Sequence, residues 1–172
     1  MQIAQLGSLT KDEELDDWLI SAPVAIPYLG GLELEFVLEG VEGDAHPEEF
    51  AAAVSHFLAK AKEEQAQAAP HILEAFNAAA AAAVPEKLSC VIGSAAEAWQ
   101  HVRPEEVRVC RRQQGDRKVY VQVVADCDWD HEHGLQLVFR EGRELSRVSS
   151  FDDHLTYADA FGLPDDMDQI SG

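Results

Sequence analysis

The chain has 172 residues, 47% of them hydrophobic, which suits one folded domain with a real core rather than an acidic disordered segment. It carries 32 acidic against 13 basic side chains, a formal net charge of −19. That balance argues against non-specific binding to nucleic acid or an anionic membrane, both of which need a positive surface. It leaves solubility, cation binding or a basic protein partner.

Met1 to Gly7 is a short apolar opening with the character of a strand. The acidic run Lys11 to Asp17 reads as a solvated turn with the Trp18 indole folded inward, and Pro23, Pro27 and Gly30-Gly31 punctuate the backbone after it. From Leu32 to Leu38 apolar Leu32, Leu34, Phe36 and Leu38 alternate with Glu33, Glu35 and Val37, the period of a half-buried strand. Gly40 to Asp44 is a turn, and Pro47 with Glu48 and Glu49 opens a helix, because proline is harmless in a first turn and carboxylates there complement the helix dipole. Phe50, Val54, Phe57, Leu58 and Ala61 share one face of it. A second helix is expected from near Pro70, through Ile72, Leu73, Phe76 and the run Ala78 to Ala83, with Pro85 stopping it. Together they make a helical hairpin.

Ser94-Ala95-Ala96-Glu97 fits a capping box, with Pro104 ending the short helix that carries Trp99 and Val102. Beyond Glu105 the pattern changes to period two: Val107 and Val109, then Val119, Val121 and Val123, then Leu135, Leu137 and Phe139, then Arg143 to Ser149. Links this short make antiparallel pairs, so a meander of about four strands is expected. In the tail Thr156 to Phe161 suits one helical turn, and Asp165 to Gly172 is expected to fray. The fold class is α+β in a single domain, 1–172: N-terminal strands over 1–45, a helical region over 46–103, a β-meander over 104–150 and a tail over 151–172.

Cys90, Cys110 and Cys127 are odd in number and far apart, and no Cys-x-x-Cys occurs, so neither a zinc knuckle nor a redox dithiol is supported. With no basic region before an apolar block at Met1-Gln2-Ile3-Ala4-Gln5, and no apolar run long enough to span a bilayer, a cytoplasmic protein is expected. Neither Gly-x-Gly-x-x-Gly nor a phosphate-binding Gly-Lys-Ser/Thr element is present.

Chemistry concentrates between the second and third meander strands, in Cys127-Asp128-Trp129-Asp130-His131-Glu132-His133-Gly134. Asp126, Asp128 and Asp130 recur at every second residue, and on a continuing strand their repulsion calls for a cation or a bend toward water. A calcium or zinc site on Asp126, Asp128, Asp130 and Glu132 is therefore the alternative reading. It fails the EF-hand pattern, since His131 falls where glycine is needed and Leu137 where the bidentate glutamate belongs, and His131-Glu132-His133 is not His-Glu-x-x-His. A nucleophilic Cys127 paired with His131, His133 or His154 is disfavoured by the surrounding carboxylates, which oppose the thiolate. Trp129 either folds back over the meander or anchors a partner.

The run Asp126 to Leu135, a strand, and then Arg140-Glu141-Gly142 resembles the signature of an uncharacterised bacterial domain family. In that family a strand leads into Cys-x-Trp-(Asp/Glu)-x-Glu-His-Gly and a short strand ends in a charged residue plus glycine. Asp152 to Ala160 looks like the end of the same family, and Leu6-Gly7-x-Leu9 with Trp18 fits its opening. The family has no established activity, so the resemblance implies no catalytic residues and no cofactor. It is similar in style to immunity or antitoxin proteins encoded beside bacterial toxins. Trp129, Glu132, His133 and Gly134 match the signature, with structural and binding roles equally open.

These readings converge on a non-enzymatic, acidic, protein-binding domain meeting a basic protein partner, with Trp129, Asp130, Glu132 and His133 as the contact positions. A divalent-metal module or metal-assisted enzyme is the alternative.

Overall fold

The structure, a computed structural model, describes residues 2–12, 15, 17–82 and 90–171. It is α+β, as the periodicities require. The short strands β1 (Gln2–Ile3) and β2 (Gly7–Ser8) pair with each other, and β3 (Thr10–Lys11) and β4 (Trp18–Ile20) enter the main sheet. The run beginning at Leu32 is two strands rather than one. β6 (Leu32–Leu34) pairs with β5 (Val24–Ile26) in a separate ribbon, while β7 (Phe36–Glu39) joins the main sheet. Ser21 makes the break: its backbone N–H donates to the Phe36 carbonyl at 3.0 Å and its hydroxyl accepts from the Phe36 N–H at 3.0 Å.

The meander consists of β8 (Val102–Arg111), β9 (Val119–Cys127), β10 (Leu135–Arg140) and β11 (Glu144–Ser150). The full order is β11-β10-β9-β8-β7-β4-β3, antiparallel throughout except for the parallel pair β7–β8. A parallel pair needs a long crossover, and the whole helical region supplies it.

That region contains α1 (Pro47–Leu58), which lies over β8 and β9, and α2 (Gln65–Ala82), which lies over β11. Phe57, Phe139 and Tyr28 meet beneath α1 with ring centroids 5.2–5.9 Å apart, the spacing of favourable aromatic packing. Two proline expectations need correction. α2 starts at Gln65 and carries Pro70 inside it, because buried Ala68, Ala69, Ile72 and Phe76 hold the helix against the core across the lost hydrogen bond. Pro104 ends no helix. It sits in β8 at a register shift against β9, a position that proline tolerates. Ala83 and the stop at Pro85 lie outside the described residues, as do Met1, Gly172 and positions 13, 14 and 16 of the acidic run.

The capping box does not form. Ser94 does precede α3 (Ala95–Ala98), but its side chain caps nothing, and the Glu97 carboxylate takes the Gly93 N–H at 3.1 Å. At the other end, Thr156 caps α4 (Tyr157–Phe161) by accepting from the Asp159 N–H at 3.0 Å. The chain beyond it does not fray through Ser171. The Ile170 carbonyl accepts from Val148 of the edge strand β11 at 2.7 Å, and the Ser171 hydroxyl lies 2.6 Å from His71 of α2.

The sheet is covered on both faces. Phe36, Leu38, Val107, Val109, Val121, Leu137 and Phe139 meet the helices in one core. Residues 151–165 cover the opposite face, where Tyr120, Val138 and Leu155 form a small apolar cluster among buried Gln122, Gln136 and Arg147. Val37 is buried on this second face, which is why β7 is not half-exposed.

Candidate functional site

β9 ends at Cys127 and β10 begins at Leu135, so residues 128–134 form the turn between them. Asp126 lies opposite Arg103 in the β8–β9 register. The Arg103 guanidinium donates to Asp126 at 2.8 and 3.1 Å and reaches on to Asp128. His131 Nδ1 lies 2.8 Å from Asp126, and His101 Nδ1 lies 2.9 Å from Asp128. The cation that the repeated aspartates call for is therefore Arg103, helped by two imidazoles. Arg103 is also the first cause holding both carboxyls below their ordinary range. Asp130 turns away from this pair and accepts from the His133 backbone N–H at 3.1 Å.

Among the described residues, no three or more His, Cys, Asp or Glu side chains converge where a metal ion could be held. Nothing in the geometry supports the Asp126, Asp128, Asp130 and Glu132 alternative. Millimolar calcium or zinc is expected to leave the melting temperature unchanged. A metal-dependent rise that Asp128→Asn removed would instead show a cation displacing Arg103.

Cys127 is fully buried, and its thiol donates to the Asp130 carbonyl at 3.6 Å. Burial pushes its pKa up to about 11, ahead of the carboxylates, so the neutral thiol is held. Trp129 is half-buried and folds back onto α2, its ring 5.9 Å from that of Phe76 in an edge-to-face contact. Glu132, His131 and His133 are exposed. The loop thus divides into supports (Cys127, Trp129, Asp130) and an exposed tip (His131 to His133). Gly134, at φ +72°, is a support as well. A Cβ there would overlap the Ala125 carbonyl oxygen, so the turn can close only on glycine.

A second location was not visible as a motif. An open groove of roughly 620 Å³ runs between the β4–β7 end of the sheet and residues 153–163, lined by Asp17, Glu39, Asp153 and Asp159, by Arg111 and Arg112, and by Cys110. Glu39 ends β7, opposite Trp18 of β4. Its carboxyl is pushed up to about 7 chiefly by burial. Arg108 partly offsets this, while Asp153, Glu106 and Asp17 add to it. Arg108 does not close on Glu39. Its guanidinium lies between the Trp18 and Phe151 rings, 5.3 and 5.2 Å from their centroids, and its Nε is 2.5 Å from Glu106. Burial pushes the Cys110 thiol up to about 12, which favours its neutral form. The one sequence hint was position: Arg108 and Cys110 alternate with core-facing Val107 and Val109, which puts them on the other face.

A family model described as "Domain of unknown function (DUF6985)" matches residues 5–155, most of the chain. The chain belongs to the DUF6985 family. No curated protein and no solved structure was found to match it. The match bears out the expectation of a domain family without assigned activity. In this DUF6985 domain Cys127, Asp128, Trp129, Asp130 and Gly134 close the turn and tie it to α2 and β8, while His131, Glu132 and His133 lie exposed. No helix among the described residues of the DUF6985 chain is long and apolar enough to cross a membrane.

Proposed function

We propose that this DUF6985 domain is a non-enzymatic binding module that receives a basic protein partner on its acidic surface. An immunity- or antitoxin-type role in the cytoplasm is the particular form implied by the family resemblance of the Asp126 to Leu135 run. The supporting observation is how the charges are distributed. The guanidinium groups of Arg103, Arg108, Arg111, Arg112, Arg140 and Arg147 each lie within ion-pair distance of a carboxylate of the chain. With most arginines spoken for internally and 32 acids against 13 bases, the surplus negative charge is left for an outside partner. The groove at Glu39 is the natural receptor for a lysine or arginine side chain, because an arriving cation would let a half-buried carboxyl ionise. The exposed tip with Glu132 and His133 belongs to the same proposed contact surface. Trp129 and Asp130 contribute by holding that tip in place.

Titration with a lysine-rich model peptide tests the reading. Affinity should fall steeply with added salt, and Glu39→Gln should weaken it on the order of tenfold. Binding that ignores both salt and Glu39→Gln would contradict it.

A further inference from the structure

The aromatic rings nearest Glu39 are already in use. Trp18 stands across from Glu39 in the β4–β7 register, and Arg108 stands across from Val37 on the same face of the sheet. The Arg108 guanidinium fills the space between Trp18 and Phe151, 5.3 and 5.2 Å from their centroids. Its Nη1 is 3.7 Å from Asp153 at the groove wall. Among the described residues no Phe, Tyr or Trp lines the groove itself, and the one ring there is the His154 imidazole, 3.6 Å from Asp152. The uncharged wall is mostly aliphatic, made by Leu155, Ala158 and Leu163. No described side chain hydrogen-bonds the Glu39 carboxyl, and Asp17 and Asp153 lie near enough to oppose its ionisation.

Lysine and arginine ask for different surroundings. A guanidinium gains from an aromatic plane and a flat carboxylate fork, whereas an ammonium is a compact charge with three donors on a flexible aliphatic stem. Here the planes are taken. What remains is an aliphatic wall for a stem and, around its end, carboxylates from three separate segments: Asp17 before β4, Glu39 at the end of β7 and Asp153 after β11. Arg111 and Arg112 also border the groove. Asp44 and Glu49 hold the first and Asp159 and Asp165 the second, so neither adds much net charge at the site.

We propose that the Glu39 groove selects lysine over arginine, and that Arg108 sets this choice by occupying the aromatic pair that a ligand guanidinium would need. This selectivity rests on the groove being a cation receptor at all, as proposed above. It also makes the contact one that N-acetylation of the partner's lysine abolishes, since the acetylated side chain carries no charge.

Two peptides of equal length and charge, one lysine-rich and one arginine-rich, are titrated into the full native chain. On a diffuse acidic surface arginine binds at least as well as lysine, through bidentate pairs with carboxylates. The lysine peptide should instead bind on the order of fivefold more tightly, because its stem and ammonium suit the wall and carboxylates that remain. Glu39→Gln should remove the preference, and acetylating the lysines should abolish binding. Equal affinities or tighter arginine binding would overturn the selectivity while leaving cation recognition at Glu39 standing. A lysine preference that survives Glu39→Gln would also overturn it, by placing the choice elsewhere. Binding by neither peptide, or undiminished binding of the acetylated one, would overturn both readings. Arg108→Ala opens the space between Trp18 and Phe151, so the arginine peptide should gain on the lysine peptide until the preference is lost. An unchanged ratio of affinities would overturn the assignment to Arg108. Should that chain not fold, Arg108→Lys, which keeps the charge and gives up the planar fork, is expected to narrow the preference, and an unchanged ratio counts against Arg108 in the same way.

Discussion

Gly142→Ala is expected to destabilise the domain by about 3 kcal/mol, since a left-handed conformation forced on alanine and overpacking against a backbone each cost on the order of 1–3 kcal/mol. Gly142 lies in the β10–β11 turn at φ +70°, and its N–H donates to the Phe139 carbonyl at 3.2 Å. A Cβ there would overlap the Ala53 carbonyl oxygen and come within 3.1 Å of the Phe57 nitrogen, both in the backbone of α1. Backbone cannot rotate aside as a side chain can, so α1 or the hairpin must move. The expected fall in melting temperature is roughly 6–12 °C for a chain of this size. A thermal melt checks it, and a fall of only a degree or two would mean that the hairpin does not press on α1. The His56 ring, 3.0 Å from the Glu141 carbonyl, marks the same contact.

Trp129→Ala is expected to cost about 2–3 kcal/mol, at or below the bottom of the range of roughly 3–5 for an aromatic truncated in a core, because the indole is half-buried. The edge-to-face contact with Phe76 ties the β9–β10 turn to α2, and its loss leaves part of the α2 face without cover. Glu132→Gln, on the exposed tip, should change stability by no more than about 0.5 kcal/mol. Chemical denaturation of the two variants separates support from surface. A Trp129→Ala chain as stable as the native one would return the indole to the role of a partner anchor.

These two residues also show what sequence can and cannot reveal. Strands were legible wherever side chains alternate against one core, as in Val119 to Val123 and Leu135 to Phe139, and so was the helix opened by Pro47. The Asp126 to Gly142 run carries the resemblance to a family without assigned activity, and its Gly134 and Gly142 sit where a Cβ would meet backbone. Local patterning misled where packing from afar intervenes. Pro70 reads as a helix start but lies inside one, and Leu32 to Leu38 reads as one strand because its register breaks only through Ser21. The loop's cation could not be read at all. Arg103 is 23 residues before Asp126 in the chain, and only the β8–β9 register brings them together. The groove is harder still, since Asp17, Glu39, Cys110 and Asp153 come from four distant segments, and nothing in their spacing marks Glu39 for burial. The loop was conspicuous because its charges are adjacent in sequence; Asp126, Asp128 and Asp130 find partners within the fold, and Glu132 and His133 lie exposed.

Recognition of a cation through an acidic surface, with Glu39 as the receptor carboxyl, is the central proposal for this domain. Below about 7 the half-buried carboxyl keeps its proton in the free domain, and a bound ammonium or guanidinium favours the ionised form, so binding must expel a proton and strengthen as pH rises through that value. Calorimetric titration of a lysine-rich peptide in two buffers of different ionisation enthalpy counts that proton. Between the ordinary glutamate value and about 7, net release to the buffer is expected for the native chain and none for Glu39→Gln. Binding with no proton release, or with release that survives Glu39→Gln, would contradict that role for Glu39.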